Sequence, residues 1–186
     1  FEPSGDLETP YVFAERVVGG AVPRNYFPAV EKGIQESVVK GPMAGYPVVG
    51  VKATLFDGSY HPVDSSEMAF KTAAKQAFKS AFMKATPVLL EPIASLSVVV
   101  PDNYTGDIMG DLNKRRGRVL GMNPVGDGKT EVVADIPLSE LYGYSTNLRS
   151  MTGGRGTYSY MFDRYEQAPS DVQERVIADN AREAEE

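Results

Sequence analysis

The chain has no cysteine and a single histidine among its 186 residues. Without thiols there is no disulfide, no zinc-thiolate site and no iron–sulfur cluster, a composition compatible with a reducing cytosol. One histidine also argues against a metal centre. No apolar run approaches the roughly 20 residues that a membrane-spanning helix needs, and Ser95 to Val100 is far too short. No signal-peptide pattern is visible. A phosphate-cradling loop is missing too: Gly153-Gly154-Arg155-Gly156 precedes a strand-like run instead of opening a helix, and no Gly-Lys-Ser/Thr follows it.

A surplus of positive charge is likewise absent. The 19 basic residues are outnumbered by 25 acidic ones, a formal net charge of -6 that argues against indiscriminate nucleic-acid binding. Distribution matters more than the sum. Residues 1–90 carry 9 charges of each sign, residues 91–168 carry 8 basic and 10 acidic, and residues 169–186 carry 2 and 6. The excess acidity is therefore concentrated in the tail. The first segment is neutral, so its field does not oppose contact between a protruding loop and RNA. With 42% apolar residues, the chain could form one large or two small domains, and two fit the pattern better.

The stretch around which the rest is organised is Asp57 to Phe70. Val48 to Phe56 alternates in the two-residue period of a half-buried strand, with Val49, Val51, Ala53 and Leu55 on one face. Asp57-Gly58 breaks it, and a polar loop follows. Asp64 is expected to start a helix, its carboxylate accepting from first-turn amides and Glu67 reaching back as in a capping box. Phe70, Ala74, Ala77, Phe78, Ala81 and Phe82 then recur at helical spacing and make one apolar face. The loop carrying Ser59, Tyr60, His61 and Pro62 is thus held at both ends, which is how a rigid scaffold presents a short recognition loop. By itself, His61 reads first as an ordinary exposed loop residue.

Upstream, Tyr11 to Val18 reads as a strand ended by Gly19-Gly20. Pro28 to Lys40 reads as a helix with Val30, Ile34, Val38 and Val39 inward, stopped by Gly41-Pro42. Strand, helix, strand, helix predicts an α/β layer with helices against one face of a sheet. The pattern restarts near Glu91. Ile93 to Val100 is a strand, Asp102 to Arg116 a helix with Tyr104, Ile108 and Leu112 on one side, and Arg118 to Met122 a strand. Gly126-Asp127-Gly128 turns the chain into a strand at Thr130 to Ile136. Pro137 is expected to open a helix carrying Leu138, Leu141 and Leu148, and Tyr158 to Tyr165 is a final strand. Strand, helix, two strands, helix, strand is the split pattern of a ferredoxin-like fold. Pro169 to Glu185 closes as an acidic helix with Val172, Val176 and Ile177 as its apolar face.

Lys114, Arg115, Arg116 and Arg118 form a basic run at a helix end, where cations are favoured by the helix dipole and where they could equally meet phosphate. Arg149 and Arg155 extend it. Asp107 and Asp111, one helical turn apart, read as a solvated face.

Ordered blocks over almost the whole chain resemble one family, bacterial elongation factor G, in its domains IV and V. They are Val18 to Pro23 (VGGAVP), Tyr26 to Ile34 (YFPAVEKGI), Ala44 to Val48 (AGYPV), Leu55 to Lys71 (LFDGSYHPVDSSEMAFK), Leu89 to Pro92 (LLEP), Gly106 to Gly117 (GDIMGDLNKRRG) and Leu148 to Tyr158 (LRSMTGGRGTY). The resemblance implies an α+β chain. Residues 1–90 would be a domain with the ribosomal-protein and GHMP-kinase-like βαβα fold, residues 91–168 a ferredoxin-like βαββαβ domain, and residues 169–186 a C-terminal helix packing toward the first. Phe1-Glu2-Pro3 would be the end of a strand begun upstream, in a fragment of a longer protein. Gly19, Gly20, Ser59, Tyr60, His61 and Pro62 would form a tip that enters the decoding site of the small ribosomal subunit beside messenger and transfer RNA. Pro62 departs from the acidic residue common after the histidine, which stiffens the loop and removes a charge. Lys114, Arg115, Arg116, Arg118, Arg149 and Arg155 would face the factor-binding region of the large subunit.

The family further implies a cytoplasmic, monomeric, non-membrane module with no cofactor or catalytic residue of its own. GTP and magnesium would belong to the parent's G domain. A paralogue acting in ribosome recycling or ribosomal protection is the competing reading, and a small-molecule kinase on the same scaffold a remote one.

Overall fold

The computed structural model describes residues 1–183, and the chain divides into two units, residues 1–87 with the segment from Ser170, and residues 88–169. Both are mixed α+β.

In the first unit, strands β1 (Glu2–Pro3), β2 (Tyr11–Glu15) and β3 (Val51–Leu55) form a sheet in the order β1-β3-β2. Strands β2 and β3 run parallel, from Tyr11 beside Val51 to Glu15 beside Leu55. Parallel neighbours need a crossover, supplied here by helix α1 (Phe27–Val39) after a 3-10 turn at Arg24–Tyr26. Helix α2 (Glu67–Lys84) packs beside α1. Val30, Ile34, Val38, Val48, Ala53, Ala74 and Phe78 make the core, with Tyr11, Phe13, Leu55, Phe70 and Phe82 half-buried around it. The helices cross closely at Gly33, where an added Cβ would lie 2.6 Å from the Lys71 carbonyl oxygen. The C-terminal helix α5 (Ser170–Glu183) buries Val172, half-buries Val176 and Ile177, and ties to this unit through Asn180 Nδ2, which donates to the Ala44 carbonyl at 3.0 Å.

Several boundaries differ from expectation for local reasons. Strand β3 begins at Val51, because Gly50, at a φ of +73°, takes the chain out of the extended conformation just before it. Ser66, not Asp64, caps α2: its backbone is extended and its hydroxyl accepts from the Ala69 amide at 3.1 Å. Asp64 sits inside the preceding turn, and it is its amide that bonds back, to the His61 carbonyl at 3.2 Å. Val39 and Ala77 are exposed, at the margins of their apolar stripes.

The second unit contains β4 (Leu90–Pro101), α3 (Thr105–Lys114), β5 (Arg118–Gly126), β6 (Lys129–Pro137), α4 (Tyr144–Thr152) and β7 (Thr157–Gln167). All strand pairs are antiparallel in the order β5-β6-β4-β7, the ferredoxin-like arrangement. Ala94, Leu96, Val98 and Val100 of β4 and Val132, Ala134 and Ile136 of β6 point one way and bury against Ile108, Leu112, Tyr144 and Leu148 of the two helices. Strand β4 starts three residues before Ile93, since Leu90 and Glu91 already pair with Gln167 and Glu166. The helix expected from Pro137 is two pieces. Pro137 still belongs to β6, Leu138–Leu141 form a 3-10 turn, and Gly143 at φ +70° breaks the path before α4 begins.

Candidate functional site

The parallel pairing of β2 and β3 places the tip. Because Glu15 and Leu55 stand side by side at the ends of two strands running the same way, the segments after them leave the sheet at one end. Arg16 extends the ladder by one bond, its amide donating to the Leu55 carbonyl at 2.7 Å. Gly19 and Gly20 then turn with φ of +68° and +71°, and a Cβ built on either meets no atom within 4 Å, so the turn and not crowding requires glycine here. Between the two loops lies Val22, 2% exposed, against Gly58, whose added Cβ would come within 2.5 Å of the valine methyl. That contact was not foreseen, and it seats the start of the His61 loop on the Gly19-Gly20 loop.

Within the second loop, the His61 carbonyl accepts from Asp64 and Ser65 amides, while the His61 amide donates to Ser65 Oγ at 2.9 Å. The backbone of the turn is thereby satisfied, and the imidazole is left exposed. Ser59, Tyr60 and Pro62 are exposed as well, as are Val63 at 92% and Val18 at 82%. Val63, two residues from the histidine, is an apolar surface with little to gain from water. Tyr26, at the end of the 3-10 turn, stacks on Phe70 at 4.6 Å between ring centroids and meets Tyr60 at 5.7 Å. The sequence signal for this column was an aromatic residue at the close of each loop. The structure therefore brings Gly19, Gly20, Ser59, Tyr60, His61 and Pro62 to one end of the first unit.

The six basic residues do not form one surface of free cations. Arg115 is nearly buried: its Nε donates to Asp111 Oδ2 at 2.9 Å, its guanidinium donates to the Glu140 carbonyl at 2.6 Å, and it lies over the Tyr144 ring at 5.1 Å. Arg116 makes a two-pronged pair with Glu91 at 2.8 and 2.9 Å and reaches Glu140 at 3.2 Å. The Glu91 and Glu140 carboxylates raise its already high pKa further. These two residues tie α3 to β4 and to the turn before α4, so charge reversal there would test the fold and not an interface. Arg118 pairs with Asp135 at 2.9 Å but remains exposed, and Arg155 packs on Tyr104 with its guanidinium 5.0 Å from the ring centre. Lys114 and Arg149 are exposed and have no ion pair among the described residues. Arg149 lines a shallow cleft of about 220 Å³ with Ser145, Leu148, Gly156, Thr157 and Tyr158. What remains available to an anionic partner is thus Lys114, Arg118, Arg149 and one face of Arg155.

Among the described residues no three His, Asp or Glu side chains gather as a metal site, and no helix is long and apolar enough to cross a membrane. The sequence model of elongation factor G, domain IV, matches residues 1–86, and that of the elongation factor G C-terminus matches residues 88–176. A crystal structure of a Thermus thermophilus protein is 43% identical, with a TM-score of 0.79, over 97% of this chain and 27% of that one. The chain spans little more than a quarter of the length of that relative.

Proposed function

The chain belongs to the elongation factor G family, and from that premise we propose that it is the ribosome-contacting part of a translational GTPase that promotes movement of transfer and messenger RNA. Gly153 to Gly156 leads into β7 and not into a helix, unlike the nucleotide-binding P-loop, and GTP with magnesium would belong to a G domain of the parent. The work of this part is steric and electrostatic. The tip enters the small-subunit decoding site and occupies space that transfer RNA has left, which blocks its return. Nucleotide hydrolysis elsewhere gives the cycle its direction. Lys114, Arg118, Arg149 and Arg155 would steer the second unit toward phosphates of the large subunit.

The observation that carries this reading is the convergence of two loops at one end of a parallel strand pair, with an exposed imidazole whose own backbone is already satisfied. Such a side chain is free to donate to ribose or phosphate and to stack on a base, the contacts that irregular RNA offers. A photo-crosslinking residue placed at Ser59 of the full-length factor tests it. Crosslinks to decoding-region RNA or to transfer RNA are expected on ribosomes caught during translocation. Crosslinks confined to the large subunit would refute the placement of the tip.

A further inference from the structure

We propose that Tyr26 is a positioning residue for the tip, fixing the direction of the His61 loop relative to the Gly19-Gly20 loop through a three-ring column. The proposal rests on the RNA-contacting reading above and adds a residue whose part in it is mechanical. Tyr26 lies at the end of the 3-10 turn that follows the Gly19-Gly20 loop. Its ring stacks on Phe70, in the first turn of α2, with centroids 4.6 Å apart and planes at 27°. On its other side it meets Tyr60, the neighbour of His61, at 5.7 Å and 39°. One side chain therefore touches the helix that closes the His61 loop and a residue inside that loop, while its backbone belongs to the segment that closes the other.

The remaining ties of the His61 loop act elsewhere. The turn bonds from Asp64, Ser65 and the Ser65 hydroxyl shape residues 61–65 but do not aim them. The contact between Gly58 and Val22 fixes where the loop begins. Only a contact near the apex sets where the imidazole points, and Tyr60 supplies one. Ring pairs at these spacings attract beyond the apolar area they cover, and the attraction belongs to ring faces and edges and needs no hydroxyl. Tyr26→Phe should therefore preserve the column, and Tyr26→Leu, which keeps a smaller apolar side chain without the ring, should lose it.

Two measurements separate this proposal from the reading beneath it. In amide relaxation experiments on this chain, Ser59, Tyr60, His61 and Val63 should be ordered in the parent and in Tyr26→Phe, with order parameters of about 0.85, and fall below about 0.6 in Tyr26→Leu. In the full-length factor, Tyr26→Leu should slow single-round translocation about fivefold or more with ribosome-stimulated GTP hydrolysis unchanged, and Tyr26→Phe should stay within about twofold. The double variant Tyr26→Leu with His61→Ala should be no slower than the slower single one, because both act through the same imidazole. If Tyr26→Leu fails to fold, Tyr60→Leu removes the same ring contact from the exposed side and must loosen the loop equally. A loop that stays ordered without the Tyr26 ring overturns the positioning role whatever the rates. A loosened loop with Tyr26→Leu and His61→Ala both translocating normally overturns the RNA reading, and the functional part of this proposal with it.

Discussion

Gly33→Ala tests the helix crossing on which the tip depends, since α2 begins where the His61 loop ends. At this position an alanine Cβ would stand 2.6 Å from the Lys71 carbonyl oxygen and 2.9 Å from Ala74 Cβ, against the 3.4 Å at which ordinary contact begins. The nearer obstacle is backbone and cannot rotate away, so α1 and α2 must part by about 0.8 Å, the difference between 3.4 and 2.6 Å. Overpacking of this kind costs about 2–3 kcal/mol, and the better helix propensity of alanine returns about 1, leaving a net loss of about 1–2 kcal/mol. For a unit near 100 residues that is a fall in Tm of about 5–15 °C. Gly110 in α3 provides the contrast: a Cβ there meets nothing within 4 Å, so Gly110→Ala should stabilise by up to about 1 kcal/mol. Thermal unfolding combined with amide hydrogen exchange in α1 and α3 follows each unit separately. If Gly33→Ala stabilised its unit as Gly110→Ala does, the close crossing would be refuted.

Arg116→Ala should destabilise the second unit by about 2 kcal/mol, since it strips the charged partner from Glu91, whose side chain is 12% exposed. Lys114→Ala should change stability by no more than about 0.5 kcal/mol; equal losses in urea unfolding would contradict the division of the basic run. Lys114→Gln with Arg149→Gln should leave melting unchanged and lower the salt slope of ribosome association by about 1–2, read from binding at several salt concentrations; an unaltered slope would remove both from the interface. Glu36 contributes to the acid limb of the first unit. Hydrogen bonds from Lys71 and Lys75 hold its carboxyl at about 2, below the ordinary 4.5. The unfolded chain is therefore protonated first as pH falls, and the stabilisation, complete above the ordinary value, drains away as pH drops toward the folded one. Glu36→Gln should lower Tm at pH 7 and converge with the parent near pH 2; parallel curves would contradict the pairing.

What was legible in the sequence followed from periodicity. The alternation through Val51, Ala53 and Leu55 and the three- and four-residue spacing of Phe70, Ala74 and Phe78 are consequences of which faces must be dry, and the structure buries those faces. The order of elements from Ile93 onward likewise contained the ferredoxin-like arrangement. Endpoints were less legible. A left-handed glycine at Gly50 or Gly143 shifts a boundary by several residues, and the choice between Asp64 and Ser66 as cap depends on a turn formed by backbone bonds to His61. The candidate site was legible as two loops, since glycine pairs and polar runs interrupt the periodic pattern. It was not legible that Val22 and Tyr26 would lock those loops together, because such contacts join residues far apart in sequence. The partners of the basic run were hidden for the same reason: the Glu140 carbonyl that holds Arg115 and the Glu91 and Glu140 carboxylates that hold Arg116 lie over twenty residues away.

The central claim, that the exposed imidazole at the tip meets RNA during translocation, is tested most directly by His61→Ala in the full-length factor. The side chain lies outside both cores, so this chain's stability should change by no more than about 0.5 kcal/mol, whereas a buried, hydrogen-bonded histidine would cost about 1–3. Single-round translocation, measured beside ribosome-stimulated GTP hydrolysis, should slow while hydrolysis and melting temperature hold. A large fall in melting temperature, with translocation reduced only in proportion to the folded fraction, would show that His61 supports the fold and contradict the account.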